Sequence, residues 1–322
     1  MPELDPGALG DRLRTAGVVD LHPLSGGASS LTYAGQLAEQ RVVVKVAPPG
    51  VPPVRNRDVL RQARVIRALG RTDVPVPGVL FEDAGEPPAV PPLFVMTWVD
   101  GDSFEPLFDR DPPDVPADVV SERWRDAART MARLHRVVPG SLGLGDEPVA
   151  TPGDEVGRWS RTLDTVDPAL VPGWRDVRDD LHASAPAPVA AAVVHGDFRL
   201  GNLLAAGDRI TAVVDWEIWS VGDPRVDAGW FLVNADPETY RRATPFAGSL
   251  ASPDELAAVY EDTLGRPLPG LAWFEALACF KSAATWSLIV KHNRRRSSPD
   301  DELEAMASVL PALLVRARDH LA

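Results

Sequence analysis

The sequence predicts an α+β fold. A small, mainly antiparallel sheet occupies the first hundred residues, and a larger helical part with a small embedded sheet follows. Three observations predict it. Short β-branched runs, Arg41–Ala47 (RVVVKVA) and Leu93–Val99 (LFVMTWV), crowd the N-terminal third. From Ser121 onward, apolar residues recur at helical spacing. With 45% hydrophobic and 25% charged residues, a chain of 322 has enough apolar material for a sizeable core.

Each element has a local reason. Gly7–Ala16 reads as a short amphipathic helix. In Leu24–Leu37 a Gly/Ser-rich turn runs into strand-like alternation, and Arg41–Ala47 continues the sheet until Pro48, Pro49, Pro52 and Pro53 stop it. Arg55–Gly70 carries Val59, Leu60, Ala63, Ile66 and Leu69 at helical spacing and closes on glycine. Val79–Glu82 and Leu93–Val99 are two more strands, with Asp100-Gly101 as a turn. Ser121–Val137 is a helix with Ser121 as candidate N-cap, followed by helices over Asp154–Leu163 and Trp174–Ala183. Val193–His195 and Leu203–Leu204 flank a compact turn, and Ile210–Trp216 is a strand. Asp254–Leu264, Leu271–Asn293 and Asp300–Leu321 read as helices. The expected division is residues 1–99 and 100–322, joined near Val99–Asp102.

Composition narrows the function. The net charge of −13 disfavours nucleic acid and anionic membrane as partners, since both need a positive surface. No run approaches the ~20 apolar residues of a membrane helix. The N-terminus lacks a basic and then apolar leader. The single cysteine, Cys279, allows no intrachain disulfide, so a cytoplasmic location is expected. Of 33 basic residues only three are lysine: Lys45, Lys281 and Lys291. Arginine does not replace lysine where a compact point charge is needed.

The segment richest in chemistry is Val193–Asp215, VVHGDFRLGNLLAAGDRITAVVD. An apolar strand runs into His195-Gly196-Asp197, Asn202 follows five residues after Asp197, and a hairpin then leads to Asp215. One carboxylate at such a loop can take a proton from a hydroxyl. A carboxamide oxygen and a second carboxylate can hold a divalent metal through hard oxygen ligands. That equipment suits in-line phosphoryl transfer.

HGDFRLGNLL followed by VVDWE resembles the catalytic loop and metal-binding aspartate of the aminoglycoside phosphotransferase and choline kinase-like superfamily. LSGGASSLTY, VVVKV, VMTWVDG, MARLHRV and GDPRVDAGW fall in the expected order, so the resemblance covers nearly the whole chain. The subgroup it resembles is the kinase-like domain of acyl-CoA dehydrogenase family proteins and its stand-alone bacterial relatives. The resemblance implies a protein kinase-like bilobed fold with a nucleotide-binding N-terminal lobe. It also implies ATP and Mg²⁺ as cofactors and a small hydroxyl-bearing substrate. By it, Asp197 is the catalytic base, and Asn202 and Asp215 are metal ligands. Lys45 contacts the α- and β-phosphates, which Ser25, Gly26, Gly27, Ser29 and Ser30 cover. Arg199 either neutralises the transferring phosphate or is simply exposed. His195 is read as a loop-bracing histidine. Asp227 either braces the catalytic loop or starts a helix. The backbone of Met96, Trp98 and Val99 belongs to the connector that reads adenine, with the Trp98 ring read as packing.

One departure stands out. Where kinase-like folds pair the strand lysine with a helix glutamate, the register gives Gln62, with Asp58 a turn earlier as a possible substitute. This opens two alternatives: a nucleotide-binding regulator without turnover, and an adenylyl transferase on the same fold. Candidates for the acceptor site are Trp216, Glu217, Trp219, Trp230, Trp286, Lys281, Lys291, His292 and Arg294–Arg296. The late basic run leans the expectation towards an acidic or CoA-linked hydroxy compound; the alternative is a solvated helix end.

Overall fold

A computed structural model describes residues 5–24, 30–109, 112–242 and 244–322. Asp5 begins the first helix, α1 (Pro6–Thr15): its carboxylate accepts the Gly7 N–H, and Pro6 supplies the first helical φ. Strands β1 (Val18–Pro23), β2 (Leu31–Leu37) and β3 (Gln40–Val46) follow, then helix α2 (Val59–Leu69) and strands β4 (Val79–Asp83) and β5 (Leu93–Thr97). All pairings in the sheet are antiparallel, in the order β1-β2-β3-β5-β4. Alternation along β3 sends Val42, Val44 and Val46 into a core shared with Leu9, Leu13, Leu93 and Val95. Lys45 therefore points to the other face.

The remaining elements are α3 (Ala117–Arg136), β6 (Val149–Ala150), α4 (Pro152–Leu163), α5 (Trp174–Ala183), β7 (Ala192–Val194), β8 (Leu203–Ala206) and β9 (Arg209–Val213). Then come β10 (Ser220–Gly222), α6 (Arg225–Ala235), α7 (Pro237–Tyr240), α8 (Pro253–Leu264), α9 (Leu271–Asn293), α10 (Asp301–Ala305) and α11 (Leu310–Asp319). The chain forms two units, each discontinuous in sequence. The first comprises residues 1–103, 140–145 and 202–219; the second comprises 104–139, 146–201 and 220–322. The second unit is helical around α9, which is buried on most sides. The α4, α5, α6 and α11 helices pack on it.

Several expected boundaries shift. The helix expected from Arg55 starts at Val59, because Asp58 caps it by accepting the Arg61 N–H; Arg55–Arg57 is one 3₁₀ turn. The helix expected from Ser121 starts at Ala117 behind Pro116, and the buried Ser121 hydroxyl instead accepts the Ala251 N–H. Beta strands β5 and β9 stop two and three residues early, at Thr97 and Val213. Asp300–Leu321 is broken into two helices, the second opening on Pro311 near its start. The α6 helix begins where the sequence reading offered Asp227 as a helix start.

Candidate active site

In the first unit, Lys45 emerges from β3 opposite Phe94 and Thr32. Its Nζ lies 2.9 Å from Asp215 Oδ1 and 3.4 Å from Gln62 Oε1. Gln62 is buried on α2 and also donates to the Asn56 carbonyl. Asp58 is committed to capping α2 and does not take the place of a lysine partner. The β8–β9 hairpin continues one step beyond its strands, where the Val214 N–H donates to the Asn202 carbonyl. This puts Asn202 and Asp215 at the same end of the hairpin. Asp215 has φ +63°, a left-handed conformation uncommon for a residue with a side chain and frequent at functional turns.

Ser25, Gly26, Gly27 and Ser29 lie outside the described residues. Ser30 is buried, and its hydroxyl has no hydrogen-bond partner among them. Met96 is a buried β5 residue paired with Val43 and Val79. Trp98 and Val99 follow the strand, half-buried. The Trp98 ring stacks on Arg41 at 3.6 Å and its Nε1 donates to Asp100, so packing accounts for the ring. Trp216 and Trp219 are buried in the first unit, donating to the Val213 and Arg61 carbonyls.

In the second unit, the loop after β7 carries Asp197. The Asp227 carboxylate, in the first turn of α6, accepts the N–H groups of His195 at 2.6 Å and Gly196 at 2.8 Å. His135 Nε2 lies 3.2 Å from the same carboxylate, and Tyr260 Oη lies 2.9 Å from His135 Nδ1. Both alternatives for Asp227 therefore hold at once: it starts a helix and braces the loop. Burial alone pushes its carboxyl up, but the hydrogen bonds from His135 and His195 outweigh burial and hold it below the usual carboxylate range. His195 is fully buried and its Nδ1 accepts the Asp197 N–H, a bracing role.

Asp197 is paired with Arg199. Arg199 Nε is 3.2 Å from Asp197 Oδ2, and Arg199 Nη1 is 2.7 Å from Glu105. Glu105 also accepts the Gly201 N–H at 2.6 Å, a close approach that a side chain at 201 would obstruct. Arg199 is thus neither idle nor simply exposed. Burial pushes the Glu105 carboxyl up despite Arg199 and this N–H, and the two flanking carboxylates hold the Arg199 guanidinium charged. Sequence reasoning missed Glu105. It follows Phe104 in an irregular segment with no motif around it, and only its partners give it meaning.

Asp197 and Arg199 open into a cavity of about 280 Å³ walled by Glu105, Phe108, Trp230, Tyr240, Trp286 and Ile289 among others. Phe108 stacks on Trp286 at 4.8 Å and meets Tyr240 edge-on. Of the acceptor candidates, Trp230 and Trp286 line this cavity. Lys281 lies behind Trp230, its Nζ 3.5 Å from the ring centre. The late basic run does not line it: Lys291 reaches the Thr165 carbonyl, and Arg294 is bonded to Glu304.

The residue types suit a magnesium nucleotide. Among the described residues no group of three or more His, Cys, Asp and Glu is arranged to hold a metal. Magnesium keeps several waters and binds through one or two protein oxygens plus phosphate, and Asn202 with Asp215 offers that donor set.

A model of the phosphotransferase enzyme family matches residues 20–261. The chain belongs to this family. Its curated relatives include an Arabidopsis thaliana probable acyl-CoA dehydrogenase, IBR3, 27% identical over 77% of this chain and 33% of that protein. Another is the Gallus gallus acyl-CoA dehydrogenase family member 11, 28% identical over 83% of this chain and 36% of that protein. The chain thus spans about a third of the length of these relatives. Among solved structures, a Ralstonia eutropha protein named as a presumed aminoglycoside phosphotransferase superposes with a TM-score of 0.78 at 22% identity, covering 99% and 98% of the two chains. A macrolide 2'-phosphotransferase from Brachybacterium faecium gives 0.59 at 22% identity, covering 94% and 97%. The aminoglycoside phosphotransferase APH(4)-Ia, solved with ADP and hygromycin B, gives 0.62 at 17% identity, covering 98% of each chain. These likenesses establish the protein kinase-like α+β fold.

Proposed function

We propose that this phosphotransferase-family chain uses Mg–ATP to phosphorylate a hydroxyl group of a small molecule. The observation that carries the reading is the placement of Asp197, held by Arg199 at the wall of a cavity that Phe108, Trp230, Tyr240 and Trp286 help to line. In this reading Asp197 accepts the proton of an acceptor hydroxyl. The freed oxygen forms a bond to the γ-phosphorus, the bond to the bridging oxygen breaks, and ADP leaves. Arg199 offsets charge on the transferring group. Lys45 steadies the α- and β-phosphates, and the backbone of Met96, Trp98 and Val99 meets the base. Asn202 and Asp215 would hold the magnesium ion, which neutralises charge on phosphate oxygens. Residues 1–99 then form the nucleotide-holding part and 100–322 the part that carries the base and acceptor cavity.

The cavity supports an acceptor with an apolar body. Phe108, Trp230, Tyr240 and Trp286 offer it an apolar surface, while Glu105, Asp109, Asp197, Arg199, Asn234 and Thr285 line the rest with polar groups. Gln62 favours a second reading, a nucleotide-binding regulator without turnover, because it gives Lys45 an acceptor oxygen but no charge. Calorimetry of ATP binding with and without Mg²⁺, beside mass analysis of a panel of hydroxyl compounds, separates the readings. A product heavier by one phosphate supports the kinase. Mg²⁺-dependent binding with no product supports the regulator, and an added AMP supports an adenylyl transferase.

A further inference from the structure

Lys281 is an exception in a chain whose other basic residues are almost all arginine. It sits inside α9, 5% exposed, with its ammonium 2.5 Å from the Gly196 carbonyl oxygen and 4.0 Å from Asp197 Oδ1. The ring of Trp230, a wall of the cavity, covers it at 3.5 Å. Burying an ammonium is costly unless nearby groups compensate it. Here the Gly196 carbonyl, the indole faces of Trp230 at 3.5 Å and Trp159 at 5.5 Å, and the nearest carboxylate, Asp197, do so, with Glu155 and Asp227 adding to the field, a compact arrangement that the broad guanidinium fork does not fit. The opposite edge of the same residue is held by Asp227, which accepts the Gly196 N–H at 2.8 Å. Gly196, with φ +86°, is gripped by a carboxylate on its N–H and an ammonium on its carbonyl. The next side chain is Asp197.

We propose that Lys281 is a positioning residue for Asp197: its ammonium locks the Gly196 carbonyl and stands as counter-charge to the Asp197 carboxylate, fixing how that carboxylate faces the cavity. The inference rests on the reading of Asp197 as the base. The charged groups facing the ammonium are Asp197 from the loop, Glu155 and Arg158 from α4, and Asp227 from α6. Burial draws Lys281 down to about 8, and the three carboxylates oppose that fall.

The test begins without turnover. The chain has only three lysines, so protein carrying ¹⁵Nζ-lysine gives three side-chain signals, assigned by Lys281→Arg and Lys291→Arg. In Asp197→Asn, which removes the counter-charge, the Lys281 titration is expected to fall by about one pH unit or more, with Lys291 unmoved. An unmoved Lys281, or an equal shift at Lys291, overturns the proposal. With an acceptor found in the hydroxyl panel, Lys281→Met is expected to lower kcat roughly 10- to 100-fold while leaving the KM for ATP within about two-fold. Full kcat in a folded Lys281→Met protein also overturns it. If no compound is phosphorylated, the base reading fails, and the lysine signals still decide whether the clamp exists.

Discussion

Lys45 Nζ lies 2.9 Å from Asp215 Oδ1, although 170 positions separate them in the chain. A buried lysine on the face of β3 opposite its valine core and an aspartate in a left-handed turn after β9 form one ion pair. Lys45→Met leaves the Asp215 carboxylate without this partner and removes the proposed phosphate contact. It is expected to weaken ATP binding at least about ten-fold, a loss of roughly 1.4 kcal/mol. Lys45→Arg is expected to restore little, since the fork cannot sit where the ammonium does. Asp215→Ala is expected to abolish the Mg²⁺-dependent part of ATP binding. Calorimetry with and without Mg²⁺ reads each outcome.

Asp197→Asn keeps the size of the side chain and removes its ability to take a proton. Turnover is expected to fall roughly 10³-fold, the usual worth of a positioned general base, with ATP affinity unchanged. Full activity in this variant removes Asp197 from the base role.

Gln62→Glu places a carboxylate 3.4 Å from Lys45 and deletes the donor that reaches the Asn56 carbonyl. The expected outcome is an ATP affinity gain of a few-fold together with a lower melting temperature. The second effect follows because a buried carboxylate loses hydration and faces a carbonyl it cannot donate to. Unchanged ATP binding would detach Gln62 from the nucleotide site.

The fold and the loop motif were legible because they rest on local patterns. The β3 run places Lys45 by alternation, the Asp197–Asn202 spacing survives any shift of strand ends, and Leu271–Asn293 matches its helix end for end. What the sequence hid depends on distant partners. Glu105 acquires its role only by meeting Arg199 and Gly201, 94 and 96 positions away. Lys281 reads only as an acceptor-site candidate until Gly196 appears beneath it, 85 positions away. Ser121 looked like a cap because its type suits one, yet proline at 116 starts the helix earlier. In the late basic run, Lys291 reaches the Thr165 carbonyl and Arg294 pairs with Glu304, partners that the run's own composition does not announce.

Asp227 gives a stability prediction with a definite sign. Its carboxyl is held below the ordinary value of 3.8, so its contribution is fully present above that pH and fades as pH falls through the lower folded value. Asp227→Asn leaves the His195 and Gly196 N–H groups poorly matched in a buried site. It is expected to cost roughly 3 kcal/mol at pH 7. The gap in melting temperature between the two proteins is expected to narrow below pH 3.8; a gap that stays constant into acid contradicts the bracing role.

Cys279 tests the packing of α9 itself. The thiol is fully buried, and burial pushes it up to about 12. A thiol raised this way by burial stays protonated at neutral pH, and the protonated thiol is a poor nucleophile. A thiol reagent is therefore expected to label the native protein no faster than the second unit opens. Labelling should accelerate with denaturant in step with loss of helical signal. Rapid labelling in buffer would mean that α9 opens locally. The helix that holds Lys281 against Gly196 two residues further on would then be too loose to fix the direction of Asp197.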